Sequence, residues 1–233
     1  MPAVHLRKIR SFVKRPGRTT AAQKRALAEI FPRFGIATSS EPLDLTAIFG
    51  RAAPVLLDIG FGDGEALVTS AANYPELDYL GVEVHEPGIG HLLLLLEKTR
   101  LTNVRVIARD AADIVRDALP DACIDAVNLF FPDPWPKKRH HKRRLVQTQF
   151  VGEIARVLKD GGLFHLATDW ADYALHSRTI LDANRDFGPV ASADLCDTPL
   201  GFRPPTKFER RGRRLGHDVC DLYYKRTCRP AHR

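Results

Sequence analysis

The sequence predicts a single α/β domain with a mostly parallel sheet, on three observations. Residues 54–59 form a short apolar strand that runs through Gly60-Phe61-Gly62-Asp63-Gly64 into a helix over 65–73, a strand, glycine turn, helix unit. Residues 124–131 are mostly apolar with no obvious polar alternation, as expected of a strand buried on both faces of a parallel sheet. Acids recur at or just beyond successive strand ends, at Asp58, Glu83, Asp110, Asp133 and Asp169, the sheet edge at which such folds bind ligands. At 233 residues and 44% hydrophobic content the chain can bury a full core.

In chain order, residues 1–25 hold eight Lys or Arg, no acid and a Pro16-Gly17 pair without apolar periodicity, and read as a mobile basic arm. A short helix is expected over 20–30. Residues 31–50 read as a Pro/Gly-punctuated connector, with Leu43, Leu45, Ile48 and Phe49 free to dock on the core. Arm and connector together span 1–50, the main domain 51–226 and a tail 227–233. The second strand covers 78–84 and carries Glu83, about twenty residues past the glycine turn, where an acid can hold ribose hydroxyls. A helix over 89–100 places Leu92–Leu96 in the core. The third strand, 104–108, ends at Arg109-Asp110, and a helix over 112–119 leads to the fourth, 124–131. Apolar residues Leu145, Phe150, Ile154, Val157 and Leu158 predict an amphipathic helix over 144–158, closed by Asp160-Gly161-Gly162. The fifth strand, 163–167, runs into Thr168-Asp169-Trp170. A helix over 171–184, a loop rich in Asp and Pro, and a last strand over 219–225 complete the chain.

The net charge of +7 is segregated. Besides the arm, residues 137–144 carry six cations and no acid, and residues 203–214 carry six against one Glu, which leaves the rest of the chain net acidic. Basic blocks on an acidic body fit a nucleic acid partner. An anionic membrane ranks lower, because no amphipathic segment accompanies the blocks and the run Leu92–Leu96 is too short to span a bilayer. The four cysteines, Cys123, Cys196, Cys220 and Cys228, lack C-x-x-C or ligand spacing, so neither a metal nor a disulfide framework is expected. Reduced thiols and a basic N-terminus without an apolar core predict a cytoplasmic location.

Glycines at 60, 62 and 64 let a ligand approach the backbone closely where a helix start offers unpaired N–H groups. The third glycine of a dinucleotide fingerprint would fall at Glu65, whose charge would repel a pyrophosphate, so a nicotinamide cofactor is disfavoured. Acids converging on a glycine turn suit a ligand with hydroxyls, an amino group and a cationic centre, such as S-adenosylmethionine. In FFPDPWPKKRHHKRR, residues 130–144, two prolines lock the turn around Asp133 and leave its carboxylate few local donors to cap. Trp135 and Trp170 fit either stacking on a base or core packing.

With these motifs in place the chain resembles the bacterial tRNA (guanine-N7-)-methyltransferases over roughly 51–226. The resemblance rests on DIGFGDG (58–64), GVEVH (81–85), RDA (109–111), LFFPDPWPKKRHHKRR (129–144), HLATDW (165–170), TKFERRG (206–212) and RLGHDVCDLYYKR (214–226). It implies a Rossmann-like class I methyltransferase fold with a seven-stranded, mostly parallel sheet and helices on both faces. It also implies an S-adenosylmethionine site at Asp58, Gly60, Gly62, Gly64, Glu83, Asp110 and Asp133, with Asp133 also the catalytic acid. Lys137, Asp169, Thr206, Lys207, Phe208 and Glu209 would contact substrate. The run Arg139, His140, His141, Lys142, Arg143 and Arg144 would contact RNA. No metal and no obligate protein partner is implied, and monomer and homodimer both stay open. The family usually has Glu where this chain has Asp58, which predicts a water-bridged contact and weaker cofactor binding. Three other readings remain: an exocyclic-amine methyltransferase, since FPDPW resembles a (D/N)PPY loop; a dehydrogenase, opposed by Glu65; and a non-catalytic RNA-binding module, which leaves the acids without a role.

Overall fold

The computed structural model describes residues 11–12, 18–39, 41–195, 198–214, 216 and 218–227. Most of the expected basic arm, at 1–10 and 13–17, and Cys196 and Cys228 lie outside the described residues. The described chain begins with a helical stretch in which a π-turn, Ala26–Ile30, separates α1 (Ala21–Arg25) from α2 (Phe31–Phe34). The wider turn sits just before Pro32, whose ring would otherwise meet a carbonyl four residues back. Thr20 caps α1 in a capping box with Gln23. Part of what the sequence presents as connector is therefore helix, and α3 (Leu45–Phe49) is a second helical piece of it.

The remaining elements are β1 (Val55–Ile59), α4 (Glu65–Asn73), β2 (Asp78–Val82), α5 (Glu86–Thr99), β3 (Val104–Ile107), α6 (Ala111–Asp117), β4 (Ile124–Phe130), α7 (Thr148–Val157), β5 (Leu158–Thr168), α8 (Ala171–Asp182), β6 (Phe187–Val190), α9 (Lys207–Arg214) and β7 (Cys220–Arg226). The seven strands form one sheet in the order β3-β2-β1-β4-β5-β7-β6. Pairings are parallel from β3 to β5, and β7 runs antiparallel to both β5 and β6. The sequence does not single out β6, because Phe187–Val190 is four residues long and contains Gly188 and Pro189, both poor strand residues.

Two apolar layers flank the sheet. Leu57, Ile59, Val127, Leu129, Phe164 and Leu166 pack against α6, α7 and α8, while Leu56, Tyr79, Val104 and Ala126 pack against α4, α5 and the N-terminal helical stretch. Each fully buried aliphatic side chain contributes roughly 1.5–3 kcal/mol. The helix expected over 144–158 starts later, at Thr148, and does not end on a glycine cap. Leu158 is already extended, and Lys159 to Gly162 enter β5 where its register with β4 slips between Ile124 and Ala126. Gly161, at φ +76°, belongs to this irregularity and not to a helix end. Among the described residues no helix is long and apolar enough to cross a membrane.

Candidate active site

Strand order reverses between β1 and β4, so the loops after these two strands diverge and leave a crevice at their carboxyl ends. The glycine turn follows β1 and the Pro132-Asp133-Pro134 turn follows β4. A cleft of about 360 Å³ opens there, lined among others by Gly60, Gly62, Glu83, Asp110, Pro132 and Asp133. A narrower recess beyond Gly60 and Gly62 is lined by Asp58, Phe130, Phe131, Thr206 and Lys207. A larger cavity of about 690 Å³ lies at the opposite, amino-terminal edge of the sheet. Two cations at that edge, Arg51 and Lys159, already pair with Asp78 and Asp125 at 2.7 Å each, and none of the expected site residues lines it.

Gly60, Gly62 and Gly64 adopt φ of +73°, +63° and +79°, a left-handed region that side chains rarely tolerate. The turn is tied down from three directions. The Gly62 N–H donates to Glu83 at 3.0 Å, His91 bonds the Asp63 carbonyl at 2.7 Å, and Gly88 of α5 packs directly on the Gly62 carbonyl. Glu83 also accepts from the N–H groups of Val84 at 2.6 Å and His85 at 3.0 Å. Its carboxylate thus shapes the turn and retains acceptor capacity for a ligand hydroxyl. Asp110 caps α6 through the Ala112 N–H at 3.1 Å and faces the same cleft.

Asp58 differs from the other acids. It lies within β1, 5% exposed, in register with Gly81 on one side and Asn128 on the other. Burial, and secondarily the charge of Glu83, push its carboxyl up to about 7. Beside it the Asn128 Oδ1 is buried without a hydrogen-bond partner. Glu65, at the start of α4, is half exposed and paired with Arg210 of α9 at 3.1 Å, which offsets its charge at the helix mouth.

The turn after β4 is strained at both ends. Phe131 has φ +51° and Trp135 has φ +46°, positions where a bulky residue needs outside support. The Phe131 N–H donates to Ala167 at 2.7 Å, and the Trp135 indole N–H donates to Ser11 at 3.0 Å. Arg143 lies over the Trp135 ring at 4.9 Å and His140 meets it edge-on at 5.7 Å, so Trp135 packs within the basic loop. Trp170 is 37% exposed beside Asp169. Residues Lys138–Arg143 form a short 3₁₀ helix. Lys137, Lys138, Arg139 and Lys142 are exposed, while His140, His141 and Arg143 are half-buried. A second cleft of about 220 Å³, lined by Lys142, Arg143 and Gln147, shares Ser11, Asp110 and Leu145 with the first.

Arg144, grouped by the sequence reading with the RNA-contacting run, is corrected to a buried position. It is 2% exposed, donates to Asp172 and to the Pro134 carbonyl at 3.0 Å, and lies over Tyr173 at 5.1 Å. Glu209 is also 2% exposed and bound by Arg203, so it faces the protein interior. Thr206 caps the Glu209 N–H at 3.1 Å, and Gly212 of α9 packs on Asp169. Thr206 and Lys207 thus line the recess, while Glu209 and Asp169 lie beside the same helix, the first against Arg203 and the second against Gly212. Phe208 lies in α9, and its side chain falls outside the described residues. Arg203, Gly88 and Asn128 were missed by sequence reasoning. Only Gly88 carried a signal, since two glycines within one helix, Gly88 and Gly90, mark close packing.

The donor set fits S-adenosylmethionine. Carboxylates at both ends of the crevice suit its ammonium, sulfonium and hydroxyl groups, and Ile59, Val84, Leu129 and Phe131 supply apolar walls for a purine. Among the described residues no His, Cys, Asp and Glu side chains group to hold a metal.

The sequence model of a family described as "Putative methyltransferase" matches residues 52–222. The tRNA (guanine-N(7)-)-methyltransferase of Alkalilimnicola ehrlichii is 55% identical over 96% of this chain and 95% of its own. That of Halorhodospira halophila is 53% identical over 94% and 95%. Among solved structures, the 16S rRNA methyltransferase KamB superposes with a TM-score of 0.53 at 16% identity, covering 79% of this chain and 93% of that one. An rRNA methylase from Streptococcus thermophilus gives 0.51 at 11% identity, covering 76% and 88%. These two show the shared class I methyltransferase fold. The chain belongs to the tRNA (guanine-N(7)-)-methyltransferase family.

Proposed function

We propose that this protein methylates N7 of a guanine in the variable loop of tRNA, with S-adenosylmethionine as donor, in the cytoplasm and as a monomer or homodimer. The observation that carries the reading is the meeting, at the β1/β4 crevice, of an acid-lined glycine turn, a proline-locked Asp133 and a basic loop. When bound, the cofactor supplies an electrophilic methyl on a sulfonium. Glu83 and Asp110 would hold its adenosyl end, and Asp58 with the glycine backbone its methionyl end.

Guanine N7 has a lone pair and no proton to lose, so the protein has to align and not deprotonate. Asp133 accepts from guanine N1–H and the exocyclic amine, orienting N7 and stabilising the positive charge that grows on the purine. Asp169, Lys137 and the segment Thr206 to Phe208 surround the base, with the buried Glu209 behind them on Arg203, and Arg139, Lys142 and Arg143 neutralise phosphates. Support comes from the position of Asp133 in the cleft wall and of Lys142 and Arg143 in the adjoining one.

The test is incubation of unmodified tRNA with methyl-labelled cofactor, followed by chemical cleavage at 7-methylguanosine. Label at an exocyclic amine, or none, overturns the reading.

A further inference from the structure

We propose that Arg203 is a positioning residue for methyl transfer, fixing the turn that bears Asp133 relative to the segment Thr206 to Glu209. The inference rests on the methyl-transfer reading above. With its side chain 11% exposed, Arg203 touches three separate pieces of the site. It donates to Glu209 of α9, and it clamps Asp221 of β7 through Nε at 2.8 Å and Nη2 at 3.0 Å. Its guanidinium also lies over the rings of Phe130 at 5.8 Å and Phe131 at 5.9 Å, the two residues that lead from β4 into the Asp133 turn.

The clamp is anchored in the core. Asp221 accepts from His165 Nε2 at 2.8 Å, and His165 is fully buried, stacked on Tyr223 at 3.9 Å and met edge-on by Phe130 at 4.8 Å. Burial keeps the His165 ring below its ordinary value, against the pull of Asp221, so the imidazole is neutral and Nε2 carries the proton. Burial alone would raise the Asp221 carboxyl, yet the hydrogen bonds from His165 and Arg203 hold it below the usual range. Arg203 is then the cation set against two carboxylates, Glu209 from α9 and Asp221 from β7, with neutral His165 behind them.

Only a planar fork can serve two carboxylates and two ring faces at once. Phe131 sits at φ +51°, a conformation that persists only where its surroundings impose it. Without Arg203 the Phe130-Phe131 step and α9 lose their common anchor, and the groups that must grip one guanine from both sides drift apart. None of these contacts joins Arg203 to Glu83, Asp110 or the glycine turn, so the polar grip on the cofactor does not depend on it, and only the Phe131 wall is shared.

The experiment compares wild type, R203K and R203M for cofactor Kd, tRNA KM, kcat and thermal stability across pH. A misplacement of about 1 Å costs on the order of 100-fold in rate, so R203M should lose roughly that much kcat with a much smaller change in cofactor Kd, confined to what the Phe131 wall contributes. R203K should recover only part. In R203M the buried Glu209 and the partly exposed Asp221 lose the cation they share, and the more buried carboxyl retains a proton. Its kcat should therefore rise as pH is lowered, a rescue absent from wild type. Wild-type kcat in folded R203K overturns the proposal, even if R203M fails to fold. So does an R203M whose only change is a lower Tm. Wild-type protein that leaves tRNA unmethylated would instead sink the methyl-transfer reading itself.

Discussion

Arg144 and Asp172 are bonded across the base of the basic loop, the arginine 2% exposed and the aspartate largely open to solvent. The last cation of the run is therefore the buried one. Its guanidinium joins α8 to the Pro134 carbonyl, so it holds the active-site turn against the body of the fold. R144M should cost about 1–3 kcal/mol, less than a fully buried pair, because the Asp172 left behind stays hydrated. Thermal denaturation measures this. An unchanged Tm together with a flatter salt dependence of tRNA binding would return Arg144 to the RNA interface.

Arg139 and Lys142 are exposed and Arg143 is half-buried over Trp135. Neutralising all three should leave Tm nearly unchanged and weaken tRNA binding regardless of sequence. The slope of log K against log salt should flatten by roughly one unit per lost phosphate contact. Filter binding across a salt series reads it directly, and a wild-type slope would mean that these side chains serve only the loop.

Asp133 lies in the cleft wall between two prolines, on a turn whose ends, Phe131 and Trp135, are each fixed by a hydrogen bond to another part of the chain. D133A should remove about 2–4 kcal/mol of transition-state stabilisation and leave tRNA affinity largely intact. Single-turnover kinetics at saturating tRNA separates the two. Normal turnover in this variant would refute the role.

How much of this was legible in the sequence varied with the physics. Strands β1 to β5 could be read because both faces are buried and every position tends to be apolar. Strand β6 could not, since Gly188 and Pro189 give no strand signal and antiparallel pairing with β7 alone defines it. The acids at strand ends could be found by position, but not their protonation. Asp58 and Glu83 read alike along the chain, yet one is sealed in β1 and the other accepts three backbone N–H groups. Arg144 read as one more charge in a basic run, because burial of a single member depends on Asp172 and Tyr173, far along the chain.

The state of Asp58 makes a pH prediction. Its carboxyl is held up to about 7, whereas an unfolded Asp titrates near 4. Between those values the folded protein keeps a proton that the unfolded chain has released. The Asp58 contribution to the stability of the unliganded protein therefore falls as pH rises through this window and levels off above about 7. The burial-lowered His165 and His176 contribute in the opposite sense, so the comparison is wild type against D58N. A cationic ligand favours the ionised form, so S-adenosylmethionine should bind more weakly below about pH 7, by up to tenfold per unit, and should expel a proton on binding. Calorimetry in buffers of different ionisation enthalpy counts that proton. D58N should abolish both effects, and D58E should tighten binding by reaching further into the recess. Proton release that persists in D58N would assign the titration elsewhere.

The glycine turn depends on a residue that need not touch the cofactor. A Cβ on Gly88 would lie 2.0 Å from the Gly62 carbonyl oxygen, which is backbone and cannot swing aside. Nor can α5 retreat, because a Cβ on Gly90 would already meet Gln23 at 2.8 Å, and the Gln23 amide is bonded to the Pro87 carbonyl at 3.0 Å. G88A must therefore displace the turn, at about 1–3 kcal/mol of overpacking, and pull the Gly62 N–H away from Glu83. Cofactor affinity should fall more than tenfold with no ligand contact removed. G152A provides the opposite control, since Gly152 is in α7 with open space around it. That change should stabilise the fold by up to about 1 kcal/mol and leave binding untouched. If G88A instead binds S-adenosylmethionine like wild type, the turn is not fixed by α5, and its glycines are held by some other contact.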